Sequence, residues 1–205
     1  MTNQSPTLAG QSVDCFLDSL NAKVPTPGGG AAAAITGATA AAAAGMVVSY
    51  SVNKKSLAEH AAFNAEAQKK LNTLRAEFLS LGDADAIGYG ELNALWKLDK
   101  DNPNRIERWD EAVAGAIAPP RAMLEKSVEL LMLCKALIST TNKQLKSDLG
   151  VAAVLGQASA RAAAWNVRIN ISLLPEHTHS TWNTEVDDML KAADGLCNTI
   201  ELGCA

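Results

Sequence analysis

Pro25-Thr26-Pro27-Gly28-Gly29-Gly30 runs straight into a block of alanines. The two prolines stiffen the approach, and the three glycines allow contacts and backbone angles that side chains forbid. A helix that begins there offers unsatisfied N–H groups and the positive end of its dipole to a carboxylate, a phosphate or the polar edge of a ring. A tight connection between two crossing helices accounts for the same residues equally well. Asp85 and Tyr89 stand four apart on one helical face, with Ala86 and Gly88 leaving room above it. A carboxylate beside a phenol suits proton transfer if burial raises its pKa towards neutrality; helix capping by Asp83 or Asp85 is the simpler alternative. Lys54 and Lys55 follow Asn53 at the end of an apolar run, where they complement a helix dipole or attract an acidic ligand. Ser147-Asp148 reads first as a helix cap. Asn166 and Asn170 share a helical stripe with Asp148, but Asn166 lies about 27 Å away along the axis. One subunit cannot join those ends in a small site, whereas a site between subunits can use both. Amides on an alanine-rich helix also serve simply as bridges to neighbouring helices.

Other chemistries find weaker support. Gly28-Gly29-Gly30-Ala31-Ala32-Ala33 formally fits G-x-G-x-x-A, but a helix precedes it and position 53 is Asn, against a dinucleotide fold. No Gly-Lys-Ser/Thr follows, which excludes a Walker A loop. Cys15, Cys134, Cys197 and Cys204 lack metal-ligand spacing and read as free thiols of a cytoplasmic protein. His60, His177 and His179 give no ligand cluster, so no metal is expected. A net charge of −4 gives no general attraction to nucleic acid or to acidic membranes. The polar stretch from Met1 to Gln11 lacks the pattern of a secretory leader.

The elements that must position these groups are helices. Thirty-seven alanines against nine aromatic residues favour close-packed helices over sheets, and the 205 residues suit one domain, 1–205. Ala31 to Tyr50 carries no charge and is long enough to span a bilayer, but its small residues suit a buried or interface helix better. Eight helices are expected. Ser12 caps the first, over Val13 to Asn21, and the glycine loop opens the second. Ser56 caps a third that Gly82 ends, and Asp83 or Asp85 starts a fourth. A fifth runs through Trp109 to Ile117 until Pro119-Pro120 breaks it, and a sixth carries Met123, Leu130, Cys134 and Leu137. A seventh starts at Ser147-Asp148, and Trp182, Val186, Met189, Ala193, Leu196 and Ile200 mark an eighth. The expected architecture is all-α, a multihelical bundle of long antiparallel helices, associating as an oligomer.

Four segments in order resemble the cyclodeaminase/cyclohydrolase family of one-carbon folate enzymes: the Pro-Thr-Pro-Gly-Gly-Gly loop, Asn53-Lys54-Lys55, Asp85-Ala86-Ile87-Gly88-Tyr89, and the block from Asn142 to Ala153 containing Ser147-Asp148-Leu149-Gly150. Asn53, Gly88, Tyr89 and Gln144 depart from the family's usual Gly, Ala, Phe and Asn, and Asp99 replaces a Pro. The resemblance implies a homodimer that binds tetrahydrofolate derivatives without a metal or other cofactor. It implies Asp85, then Asp148, as catalytic carboxylates. Pro27, Gly28, Gly29, Gly30, Lys54, Lys55, Tyr89, Asn142, Ser147 and Asn166 are the implied substrate contacts. The implied reaction is hydrolysis of 5,10-methenyltetrahydrofolate to 10-formyltetrahydrofolate. Cyclodeamination of 5-formiminotetrahydrofolate with release of ammonia is the alternative, and a non-catalytic folate-binding dimer is a third.

Overall fold

A computed structural model describes residues 7–205; residues 1–6 of the polar N-terminal stretch lie outside the described residues. The described residues contain six α-helices: α1 (Val13–Asn21), α2 (Gly29–Ser49), α3 (Ala61–Trp96), α4 (Pro103–Leu137), α5 (Lys146–Ile171) and α6 (His179–Cys204). The described residues contain no strand. Helices α2 to α5 form an up-down-up-down bundle in which α2 lies between α3 and α5, and α6 packs against α4 and α5.

Alanine explains why α2 sits at the centre. A buried methyl contributes only about 0.8 kcal/mol, so a helix of methyls must gain its stability from close backbone approach. Gly37 shows the distance involved: a Cβ there would lie 2.5 Å from the Phe78 ring and 2.7 Å from Ser159 Oγ. Ser159 Oγ donates to Ala33 O at 2.9 Å and so ties α5 to α2 without a bulky side chain. The apolar α2 is thus mostly buried by protein.

Two expected breaks are absent, and so eight helices become six. Gly82 lies inside α3, where its missing Cβ makes room for Leu8 and for Ala34. Asp83 caps no helix; its Oδ1 accepts from the Leu8 N–H at 2.9 Å and pins the N-terminal segment to α3. Pro119 and Pro120 lie buried within a continuous α4. The carbonyl that Pro120 cannot bond, Ala116 O, accepts instead from Asn170 Nδ2 at 3.2 Å. Ser12 does cap α1, accepting from Cys15 N at 3.1 Å. Ser56 does not cap α3, because it falls within a 3-10 turn, Lys55–His60. Ser147 and Asp148 occupy the first turn of α5, whose cap position is Leu145.

Helices α3 and α4 are longer than their neighbours. At 36 and 35 residues they reach roughly 54 and 52 Å, against about 32 Å for α2. Asp85 lies level with the start of α2, so Ala86 to Trp96 and the facing part of α4 overhang the bundle. Trp96 meets Trp109 edge-on at 6.1 Å within this overhang, and the Arg105 guanidinium covers Trp109 at 4.6 Å.

Candidate functional site at the glycine turn

The chain enters α2 through a cis Thr26–Pro27 bond, and Gly28 occupies the cap position. Among the described residues no glycine has a positive φ. Gly29 and Gly30 therefore serve for space rather than for backbone angle, whereas a Cβ on Gly28 would meet only Pro25 O, at 4.0 Å. A Cβ on Gly30 would land inside the Asp85 carboxyl group, and one on Gly29 would lie 3.1 Å from Asn166 Oδ1. Asp85 from α3 and Asn166 from α5 thus flank the first turn of α2. Intrahelical bonding begins with Ala32 N to Gly28 O at 3.1 Å, which leaves the N–H groups of Gly29, Gly30 and Ala31 without a partner inside the helix.

Burial pushes the Asp85 carboxyl up to about 6, and no charge or hydrogen bond contributes to the shift. A group poised there exchanges protons in either direction near neutral pH. Asn166 Nδ2 donates to Ala162 O at 2.9 Å, which turns Oδ1 towards the glycine turn. Tyr89 stands one helical turn beyond Asp85 and is 39% exposed, and Pro27 is half-buried.

The other expected contacts assemble at the opposite end of α2, about 30 Å away. Lys54 Nζ donates to Asn142 Oδ1 at 2.7 Å, and the Asn142 N–H donates to Ser51 Oγ at 2.9 Å. Lys55 is exposed next to this pair; Ser147 is exposed and Asp148 half-buried on the first turn of α5. A single chain therefore divides the expected residues into two groups. Pro27, Gly28, Gly29, Gly30, Asp85, Tyr89 and Asn166 form one, and Lys54, Lys55, Asn142, Ser147 and Asp148 the other. Asp85 and Asp148 do not line one pocket within the chain.

A surface stripe connects the two groups. On α2, Thr39, Ala42 and Met46 face outwards at steps of three and four. The Thr39 hydroxyl turns back to donate to Ile35 O at 2.7 Å, so its polar atom is already satisfied within the helix. On the neighbouring α5, Val151, Val154, Ala158, Trp165 and Ile169 face outwards, with Arg161 the one charged residue among them. Trp165 and Ile169 are 72% and 71% exposed.

Two features of the site escaped the sequence reading. Asn170 appeared there only as a generic bridge, because its partner is a carbonyl freed on another helix. Gly88, read as a departure from Ala, is explained by packing: a Cβ there would strike the Gly115 carbonyl of α4.

Comparison with known proteins agrees with this architecture. A formiminotetrahydrofolate cyclodeaminase of known crystal structure, from Thermotoga maritima, shares the fold with a TM-score of 0.85 at 23% identity, covering 95% of this chain and 96% of that one. A methenyltetrahydrofolate cyclohydrolase from Methylorubrum extorquens is 30% identical over 190 residues, 91% of this chain and 88% of that protein. A formimidoyltransferase-cyclodeaminase from Gallus gallus is 26% identical over 187 residues, and the match spans 34% of that longer protein. The profile of the family described as formiminotransferase-cyclodeaminase matches residues 12–187, which takes in the glycine turn, Asp85 and Asn166 together, and the chain belongs to that family.

Proposed function

We propose that the chain is a cytoplasmic one-carbon folate enzyme that hydrolyses 5,10-methenyltetrahydrofolate to 10-formyltetrahydrofolate, with Asp85 as its acid/base group. The observation that carries this reading is the Asp85 carboxyl, half-buried against the first turn of α2 and pushed up to about 6 by desolvation. As a carboxylate it takes a proton from water as the oxygen bonds to the methenyl carbon. The resulting acid then protonates N5 as the carbon–N5 bond breaks, and the former water oxygen becomes the formyl carbonyl by losing its remaining proton to solvent, the one net proton that hydrolysis of the cationic substrate releases. The glycine-walled turn suits a flat pterin, and its free N–H groups suit a polar ring edge. The step enlists no cofactor. The cyclohydrolase relative, aligned over most of both chains, favours hydrolysis. Cyclodeamination of 5-formiminotetrahydrofolate is the second reading, favoured by the cyclodeaminase of like fold; there N10 attacks the formimino carbon, Asp85 takes the N10 proton, and the resulting acid gives it to the amino group, which leaves as ammonia.

Lys54, Lys55, Asn142, Ser147 and Asp148 complete this site from a second copy of the chain. Their separation from Asp85 along α2, and the largely apolar stripe that joins the two ends, support an antiparallel homodimer in which each site draws on both subunits. The lysines then meet the anionic glutamate portion of the folate.

The test is the absorbance decay of 5,10-methenyltetrahydrofolate with enzyme against a buffer blank. Decay proportional to enzyme and lost in Asp85→Asn supports hydrolysis. Decay absent here, with methenyl product formed from 5-formiminotetrahydrofolate, selects cyclodeamination. Folate binding without either turnover leaves a binding protein.

A further inference from the structure

Of the two carbonyls that Pro119 and Pro120 leave free on α4, Ala116 O gains a donor and Gly115 O is packed against a glycine, and both contacts lie about one turn from the candidate site. In an unbroken helix the N–H groups of residues 119 and 120 would bond to Gly115 O and Ala116 O, but proline has none to give. Ala116 O accepts from Asn170 Nδ2 at 3.2 Å, and the same Nδ2 lies 3.0 Å from Asn166 O. The Gly115 carbonyl faces Gly88 so closely that no Cβ fits between them. Asn170 is one turn beyond Asn166 on α5, and Gly88 is three residues beyond Asp85 on α3. Consecutive carbonyls of α4 thus meet α3 and α5 at one level, one by close packing on Gly88 and the other by the Asn170 hydrogen bond, about one turn beyond the two side chains that flank Gly29 and Gly30.

We propose that Asn170 is a positioning residue for the reaction: anchored on the carbonyl that Pro120 frees, it fixes the register of α5 against α3 and so sets the gap between Asn166 and Asp85 across the glycine turn. The inference rests on the reading of Asp85 as the acid/base group. A bridge that only satisfied a buried carbonyl would have a simpler substitute, because alanine at position 120 supplies the missing N–H within α4 itself. The Asn170 amide instead ties that carbonyl to another helix.

The contrast gives the test. Asn170→Leu removes the donor, and Asn170→Leu combined with Pro120→Ala returns a donor to Ala116 O from within α4. For each we would measure melting temperature, kcat and KM separately, and the titration of Asp85 by NMR of 13C-labelled aspartate carboxyls. Burial raises that titration, so a carboxyl displaced towards water titrates lower. The expected result is a kcat loss on the order of ten- to a hundredfold in both variants with little change in KM. Asp85 should titrate lower in both, while the double variant regains the melting temperature. Recovery of kcat along with stability in the double variant would overturn the proposal and leave Asn170 as a structural bridge. If the unaltered enzyme turns over neither folate, the reading of function fails. The Asp85 titration then separates the two failures: a shift in Asn170→Leu still shows that Asn170 holds the Asp85 carboxyl in place, and an unmoved Asp85 removes that coupling as well.

Discussion

Replacing Asp85 with asparagine should make the protein more stable at neutral pH while disabling it. The carboxyl titrates at about 6 in the folded chain against an ordinary 3.8. Below pH 3.8 both folded and unfolded states hold the proton, and the group is neutral to stability. Between 3.8 and 6 the unfolded chain releases its proton while the folded chain keeps it, so stability falls as pH rises. Above 6 both are ionised and the loss is complete, at roughly 3 kcal/mol for about two pKa units. Asparagine carries no such linkage. Urea unfolding of the two proteins between pH 4.5 and 8, at one protein concentration, should show the difference between them growing by roughly 2 kcal/mol in favour of Asp85→Asn. A difference that stays constant across that range would refute the desolvated carboxyl, and with it the physical basis for acid/base work at this position.

Four shorter expectations follow from the same geometry. The value of kcat/KM for methenyltetrahydrofolate should fall below about pH 6 as Asp85 is protonated before water attack; a profile flat from pH 5 to 8 contradicts that role. Gly30→Ala should destabilise by about 1–3 kcal/mol in thermal unfolding and eliminate turnover, because its methyl occupies the Asp85 carboxyl. Gly29→Ala, with the amide of Asn166 at 3.1 Å, should be milder in the same assays, and the reverse order counts against the packing described. Mixing Asp85→Asn with Lys54→Ala protein under subunit exchange should restore roughly a quarter of normal activity, since half the dimers carry one intact composite site of two; no recovery rules out a shared site.

The sequence carried the helical class and several boundaries because those signals are local. Ser12 and the glycine loop mark the starts of α1 and α2 by the chemistry of exposed N–H groups, and the apolar stripe of α6 has the period of a helix. Gly82 and Pro119-Pro120 misled because their meaning is tertiary. One gives up a side chain so that Leu8 can enter, and the others give up N–H groups, one of whose carbonyls is served by Asn170 of α5 while the other packs against Gly88 of α3. For the site, helical rise alone was enough to separate Asp148 from Asn166. No local pattern could place Asp85 against Gly30, since that contact joins segments 55 residues apart and depends on α3 passing the N-terminus of α2.

The alanine-built α2 also limits how this protein can change over time. Alanine and glycine can be replaced only by something larger, apart from exchange for one another, and positions such as Gly37 and Ala33 have no space for it. Single substitutions along the buried face therefore act in one direction, towards overpacking, at about 1–3 kcal/mol each. Divergence there has to proceed by paired replacements, a larger residue on α2 accompanied by a smaller one on α3 or α5. Exposed positions on α6 escape that coupling, so the chain should evolve at two tempos, slow and correlated at its centre and free at its margin.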